Sequence, residues 1–162
     1  SNYTDIKILD IDEYTPGKAI NLGVQNSSSD LICILSSHCV IQDIDLDNVI
    51  KSLDSYAGIF GNQTPIYQGK KIQKRYLWSH FQDKDVENMY SQMENRHFFH
   101  NAISFFSKET LISHPFNETL VGKEDRYWAR DVVAAGLKTL YMSSIIVDHH
   151  YTPRGNTWKG IG

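Results

Sequence analysis

A five-residue apolar run limits the architectures open to this chain. Leu31 to Leu35 reads Leu-Ile-Cys-Ile-Leu without a polar break, and Ser36-Ser37-His38 follows it directly. Such a run is typical of a strand covered on both faces, because a strand with one solvated face alternates apolar and polar residues. Covering both faces of a sheet requires further layers of secondary structure. The run therefore predicts an α/β protein.

The remaining periodicity agrees with that class. Apolar residues recur at helical spacing in four segments, 18–25, 45–53, 108–113 and 124–135. Strand patterns occupy 5–11, 57–61, 98–106, 138–142 and 145–147. Residues 62–96 are polar and predict an inserted loop with one helix around 83–93. The alternation predicts a three-layer, Rossmann-like sandwich with a mostly parallel central sheet. We expect one domain over 1–162, with 152–162 as a flexible tail or a lid.

Composition excludes several classes of function. Lys and Arg number 16 against 19 for Asp and Glu, so the net charge of -3 disfavours binding to a nucleic-acid backbone. The chain has neither an apolar run of about 18 residues nor a signal-peptide pattern, which predicts a cytoplasmic protein without a membrane span. Cys33 and Cys39 lie in or near the apolar run and are expected to be buried thiols.

Polar residues at the ends of strands are the candidates for chemistry, because ligands of α/β sheets bind beyond the carboxyl ends of the strands. His38 and His149 each follow an apolar run directly, and the alternative for each is a hydrogen-bonded structural role. Glu124 and Asp125 open the helix predicted at 124–135. Carboxylates there stabilise the helix dipole, but one of them would also suit a general base.

Five segments, in order, resemble motifs of one known family. They are Gly17-Lys18-Ala19-Ile20-Asn21-Leu22-Gly23, the strand 31–35 with Ser36-Ser37-His38, Phe99-His100-Asn101-Ala102-Ile103, Phe116-Asn117-Glu118-Thr119-Leu120 with Gly122-Lys123-Glu124-Asp125, and His149-His150. Together they resemble the family 2 glycosyltransferases of the GT-A fold, which build bacterial surface polysaccharides. The resemblance spans residues 13–160. It implies a GT-A-like domain that is truncated at its N-terminus, since the family opens with two further strands that hold the nucleotide base.

The resemblance also implies a reaction and a set of site residues. A sugar would pass with inversion from a nucleotide-diphosphate donor to a glycan or lipid-linked acceptor, with Asp125 as base and Glu124 orienting the acceptor. The other implied residues are Lys18, Asn21, Ser36, Trp158 and Lys159 for the donor, His38, His149 and His150 for a metal ion, and Gln63 and Asn101 for the acceptor substrate.

One departure from the family pattern affects the metal. Ser36 and His38 stand where the family has an Asp-x-Asp motif. Imidazole suits Mn²⁺ better than Mg²⁺, so we expect Mn²⁺, with Mg²⁺ as the alternative. Two other functions stay open: a non-catalytic GT-A-like domain that binds a partner or glycan, and a metal hydrolase or nucleotidyltransferase that uses the histidines. Exposed sheet edges also make a homodimer an expected state, and the inner face of a bacterial membrane is an alternative location.

Overall fold

The computed structural model describes residues 6–72, 80–153 and 158. Its elements, in chain order, are α1 (Pro16–Asn26), β1 (Leu31–Leu35), β2 (Cys39–Asp43), α2 (Leu46–Ser52), β3 (Gly58–Tyr67), β4 (Lys70–Lys71), β5 (Val86–Glu87), β6 (Tyr90–Ser91), β7 (Arg96–His97), β8 (Ile103–Ser107), α3 (Lys108–Ser113), α4 (Glu124–Ala134) and β9 (Thr139–His150). Within the described residues, no helix is long and apolar enough to span a membrane.

A mixed sheet forms the centre of the molecule. Its strand order is β1-β8-β3-β9-β2, with β4 added to β3 and β5 added to β9. Strands β3 and β9 run parallel, whereas the described pairs β1/β8, β3/β8 and β2/β9 are antiparallel. The α/β class is therefore confirmed, but the expectation of a mostly parallel sheet is wrong.

Two apolar clusters cover the sheet, one on each face. Phe60 and Phe106 belong to one cluster, and their chain neighbours Ile59 and Phe105 belong to the other. Successive strand residues point to opposite faces, so the sheet is covered on both sides. Coverage of both faces produces continuous apolar runs whatever the direction of the neighbouring strand. The run in β8, which is buried on both faces, therefore indicates coverage by the two clusters and not parallel pairing.

The four helices predicted at 18–25, 45–53, 108–113 and 124–135 are confirmed. Side-chain oxygens of Thr15, Asp45 and Ser107 cap the first three by accepting a backbone N–H. The fourth, α4, follows Lys123 in the left-handed conformation and ends before Gly136, which has φ of 86°.

Several strand predictions need correction. Residues 6–11 form no strand, and Ile6 and Ile8 are exposed, because a period-two pattern makes a strand only where a partner edge is available. No helix forms over 83–93, where β5 and β6 lie instead. The runs at 138–142 and 145–147 are parts of one strand, β9, while β3 is longer than expected.

The strand β1 also differs from expectation in its surroundings. It lies at the end of the strand order, and one of its residues, Cys33, is exposed rather than buried. Cys39 is buried as expected, and both thiols are free. Strand β2, which begins at Cys39, was not predicted because most of its side chains are exposed. Most of the predicted tail or lid, residues 154–157 and 159–162, lies outside the described residues.

Helix α1 packs closely on the turn at 116–118, and Asn21 holds the two together. Its side-chain amide donates to the Phe116 carbonyl (2.8 Å) and to Glu118 Oε1 (2.9 Å), and its oxygen accepts the Phe116 N–H (3.0 Å). A Cβ atom on Gly17 would lie 2.4 Å from the Asn117 carbonyl oxygen. The helix can approach this turn only because residue 17 has no side chain.

We expect Gly17→Ala to lower the free energy of unfolding by about 1–3 kcal/mol, because the new methyl group meets backbone that cannot move aside alone. Gly23→Ala in the same helix is the matched control, since a Cβ there has no neighbour within 4 Å. That control should gain about 0.5–1 kcal/mol from its better helix propensity. Urea denaturation of both variants checks this, and equal effects would show that α1 has room at the turn.

Candidate active site

A pocket of about 230 Å³ lies where β1 ends, β8 begins and α4 starts. It collects side chains that are far apart in the sequence. The predicted site residues that line it are Ser36, His38, Gln63, Asn101, Glu124, Asp125, His149 and Trp158. The structure thus brings most of the predicted residues to one place.

One wall of the pocket is a pair of histidines. The Nε2 atoms of His38 and His149 lie 2.8 Å apart. On the other side of the His149 ring, Nδ1 lies 2.5 Å from Gln63 Oε1, and a glutamine oxygen can only accept. His149 Nδ1 therefore carries the hydrogen, and its Nε2 lone pair points toward His38. This is the orientation that a metal-ligating histidine usually has, with its other nitrogen held by an acceptor.

Both imidazoles are neutral at physiological pH. Burial, with smaller contributions from neighbouring His38 and His150, lowers the pKa of His149 to about 3. Burial also lowers the pKa of His38, with a smaller contribution from His150. Metal ions bind the neutral form of imidazole, so neither ring has to lose a proton before it binds a metal ion. The buried Trp158 indole N–H also reaches His149 Nε2, at 3.3 Å.

Next to the two histidines lies a third possible metal ligand, Cys39, which the sequence did not indicate. Cys39 lies opposite His149 in the β2/β9 register, and the ligand atoms of His38, Cys39 and His149 all lie within 4.8 Å of one another. Its position shortly after the apolar run 31–35 predicted only a buried thiol. His150, predicted as a ligand, is exposed and lies outside this group of ligand atoms.

The opposite wall carries the carboxylates. Asp125 accepts two hydrogen bonds from Arg126, from the backbone N–H (2.8 Å) and from Nη1 (2.9 Å). Arg126 is 8% exposed, donates to the Phe99 carbonyl, and has its guanidinium 4.1 Å from the centre of the Phe98 ring. Its Nε lies 3.8 Å from Glu94 Oε1. The guanidinium thus fixes the Asp125 carboxylate within the pocket wall.

Sequence reasoning missed Arg126 and Glu94 as parts of this site. Arg126 and Arg130 are four residues apart in the sequence, which indicates only that they share one face of the predicted helix. A charged side chain directly beside a predicted acid was the one available signal. Nothing local identified Glu94, because it approaches α4 from the loop between β6 and β7.

Glu124 has an unusual protonation equilibrium. Burial, together with the negative charge of Asp125, raises its pKa to about 7 against opposing effects of Arg126 and the Asn101 amide. This carboxyl is half ionised near neutral pH. A pKa shifted in this way is typical of functional sites, whereas isolated surface carboxylates are fully ionised at neutral pH.

The Asn101 amide interacts with the Glu124 carboxyl and lowers its pKa, but no hydrogen bond of normal geometry within the described residues satisfies it. The residue is 8% exposed, and its Oδ1 accepts from Ser104 Oγ at 2.9 Å. Its Nδ2 has no hydrogen-bond partner of normal geometry in the described part of the chain. A buried donor left in this way costs about 1–3 kcal/mol unless a ligand satisfies it. Ser36 Oγ donates to the Asn101 carbonyl (3.0 Å), which ties β1 to the same corner.

The remaining predicted donor-binding residues lie elsewhere. Lys18 and Asn21 are on α1 outside the pocket lining, and the Asn21 side chain is occupied by the turn at 116–118. Lys159 lies outside the described residues. A role of these three residues with the donor stays a prediction.

Comparison with known proteins gives one result. A family model described as Glycosyl transferase family 2 matches residues 2–114. The match includes Ser36, His38 and Asn101 and ends before α4 and its carboxylates. No curated protein matches the chain. Because the family model covers more than half of the residues, the chain belongs to the family 2 glycosyltransferases.

Proposed function

We propose that the pocket transfers a sugar from a nucleotide-diphosphate donor to a hydroxyl group of a glycan or lipid-linked acceptor, with inversion at the anomeric carbon. One observation carries the proposal: the carboxylates of Glu124 and Asp125 share a pocket with the unsatisfied amide of Asn101 and with the neutral pair His38 and His149. A proton acceptor, a hydroxyl-binding donor and a candidate metal site are the groups that such a displacement needs.

Asp125 is the proposed general base. Its carboxylate is held in place by two hydrogen bonds from Arg126, so it needs no rearrangement before it accepts the acceptor's hydroxyl proton. Glu124 and Asn101 orient that hydroxyl, the first by accepting and the second by donating a hydrogen bond. Gln63 keeps His149 oriented, and as a lining residue of the pocket it is also proposed to contact substrate.

The histidine wall is the proposed donor side. His38 and His149 fit a divalent transition metal, because both nitrogens are uncharged and face each other. When bound, such a metal would offset the negative charge of the departing diphosphate. Ser36 and Trp158 complete this wall, and Lys159 is proposed to reach the phosphates from the tail. We also propose that the protein transfers the sugar in the cytoplasm or at the inner face of a membrane.

Calorimetric titration of uridine diphosphate, with and without a divalent metal, tests the proposal. Metal-dependent binding that is lost in His38→Ala supports transfer from a nucleotide donor. Failure of uridine, guanosine and thymidine diphosphates to bind a folded sample would favour the rival function, a GT-A-like domain that binds a glycan without turnover. A glycan titration on the same sample then tests that rival directly.

The pKa of Glu124 predicts the acidic limb of the pH profile. Its carboxylate loses its charge as the pH falls through about 7, so kcat should fall there because the acceptor hydroxyl loses a charged hydrogen-bond acceptor. Glu124→Gln should be slower and should lack a limb near pH 7. Glu109→Gln, on the exposed start of α3, is the matched control and should keep the native profile. An unchanged limb in Glu124→Gln would assign it to another group.

A further inference from the structure

The sulfur of Cys39 changes the chemistry of the histidine wall. Ser36 and His38 replace the carboxylates of an Asp-x-Asp motif, and the group of ligand atoms formed by described residues contains two imidazole nitrogens and one thiol, without a carboxylate. Mn²⁺ and Mg²⁺ prefer oxygen ligands, whereas nitrogen and sulfur ligands favour Zn²⁺ and Co²⁺. The donor set therefore disagrees with the metal expected from the family.

The backbone brings the three donors together without a flexible loop between them. Cys39 and His149 are register partners on β2 and β9, so their side chains leave the sheet on the same face. His38 precedes Cys39 directly, and its carbonyl accepts the His150 N–H, which ties the turn before β2 to β9. The Nε2 lone pair of His149 is turned toward the group because Nδ1 donates to Gln63.

The sulfur of Cys39 lies between the two imidazoles and an apolar part of the core. The ligand atoms of His38 and His149 are within 4.8 Å of it, and the other members of its cluster include Val49, Met142 and Val147. A metal ion binds such a thiol as the thiolate, and the proton is released to solvent.

We propose that His38, Cys39 and His149 form a nitrogen–sulfur metal site that takes Zn²⁺ or Co²⁺ in preference to Mn²⁺ and Mg²⁺. The role of the metal in sugar transfer rests on the proposed function. The position of the three ligand residues does not, because the fold alone brings them together. Three protein ligands leave further coordination positions open, as a catalytic zinc site does, so the ion would remain accessible from the pocket.

Cobalt substitution tests the thiolate directly. Adding Co²⁺ to the whole chain should produce a near-ultraviolet sulfur-to-cobalt charge-transfer band and bind at least about tenfold more tightly than Mn²⁺. Cys39→Ser should lose the band, and Cys33→Ser, which changes the exposed thiol on β1, should keep it. Loss of the band in Cys33→Ser alone, or tighter binding of Mn²⁺ than of Co²⁺, would overturn the proposal.

A second measurement avoids dependence on a variant that folds poorly. Zinc X-ray absorption of the unmodified chain should show one sulfur neighbour at about 2.3 Å and nitrogen neighbours at about 2.0–2.1 Å. A shell of nitrogen and oxygen only would overturn the role of Cys39. Both measurements are made without nucleotide, so a metal site that forms while no nucleoside diphosphate binds would contradict the proposed transfer and leave this inference standing.

Discussion

Asp125→Asn should reduce sugar transfer by about 10²–10⁴-fold while nucleotide binding stays unchanged, because the amide keeps the shape of the side chain but cannot accept a proton. The histidine wall that is proposed to hold the donor is not altered by this change. Release of nucleoside diphosphate, measured in a form of the protein that transfers sugar, gives the rate, and calorimetry gives the affinity. This combination separates loss of the base from loss of the donor site.

Asp131→Asn is the matched control for that experiment. Asp131 lies on the same helix, α4, and its side chain is 61% exposed in an ion pair with Arg130. The control should transfer at the native rate, because exposed ion pairs contribute little to structure. Turnover by Asp125→Asn at the control's rate would remove Asp125 as the base. A full loss in Glu124→Gln beside an active Asp125→Asn would instead assign that role to Glu124.

The second large effect is expected in stability. Arg126→Met should lower the free energy of unfolding by about 3–5 kcal/mol, because it removes the cation that pairs with the buried Asp125 carboxylate and one of the cations near Glu94, which also pairs with Arg96. Methionine keeps most of the apolar stem of the side chain, so the loss reports the guanidinium, including its contacts with the Phe98 ring and the Phe99 carbonyl, rather than the volume. Urea denaturation at pH 7.5 measures it.

Arg130→Met provides the comparison one helical turn later. Arg130 is 54% exposed and pairs with Asp131, so its loss should change the free energy of unfolding by less than about 0.5 kcal/mol. If Arg126→Met were as stable as Arg130→Met, the guanidinium would not be needed to keep the two carboxylates in the protein. The site would then tolerate its negative charges by other means.

The sequence was informative where a pattern has a local cause. Helices α1 to α4 followed from apolar spacing, and three of them begin at a side-chain cap that is visible in the sequence. Strand neighbours could not be predicted in the same way, because pairing depends on residues that are distant along the chain. The segment 6–11 shows this. Its apolar and polar residues alternate as regularly as those of a strand, but it pairs with no strand among the described residues.

The residues of the candidate site also fall into two groups, those with a local sequence signal and those that only tertiary contacts identify. Ser36 and His38 could be identified because they follow an apolar strand, and His149 because it lies just after an apolar run, at the end of β9. Glu124 and Asp125 could be identified because they open a helix. Cys39 and Glu94 could not, since their relevance comes from tertiary contacts: the first lies opposite His149 across a strand pair, and the second reaches Arg126 from a hairpin. His150 shows the opposite error, because a neighbouring strand residue points to the other face.

The irregular register of β9 has a consequence for changes in chain length. Phe60 pairs with Tyr141, whereas Asn62 pairs with Ile146, so β9 advances five residues while β3 advances two. A one-residue insertion or deletion that shifts the end of β9 would move a neighbour of His149 into its place. The neighbours are Asp148 and His150. Each of the three adjacent registers therefore offers an oxygen or nitrogen donor at this position, whereas the buried Ile145 and Val147 would turn to the other face. Burial of these two side chains, rather than the donor at position 149, therefore fixes the register of this strand end.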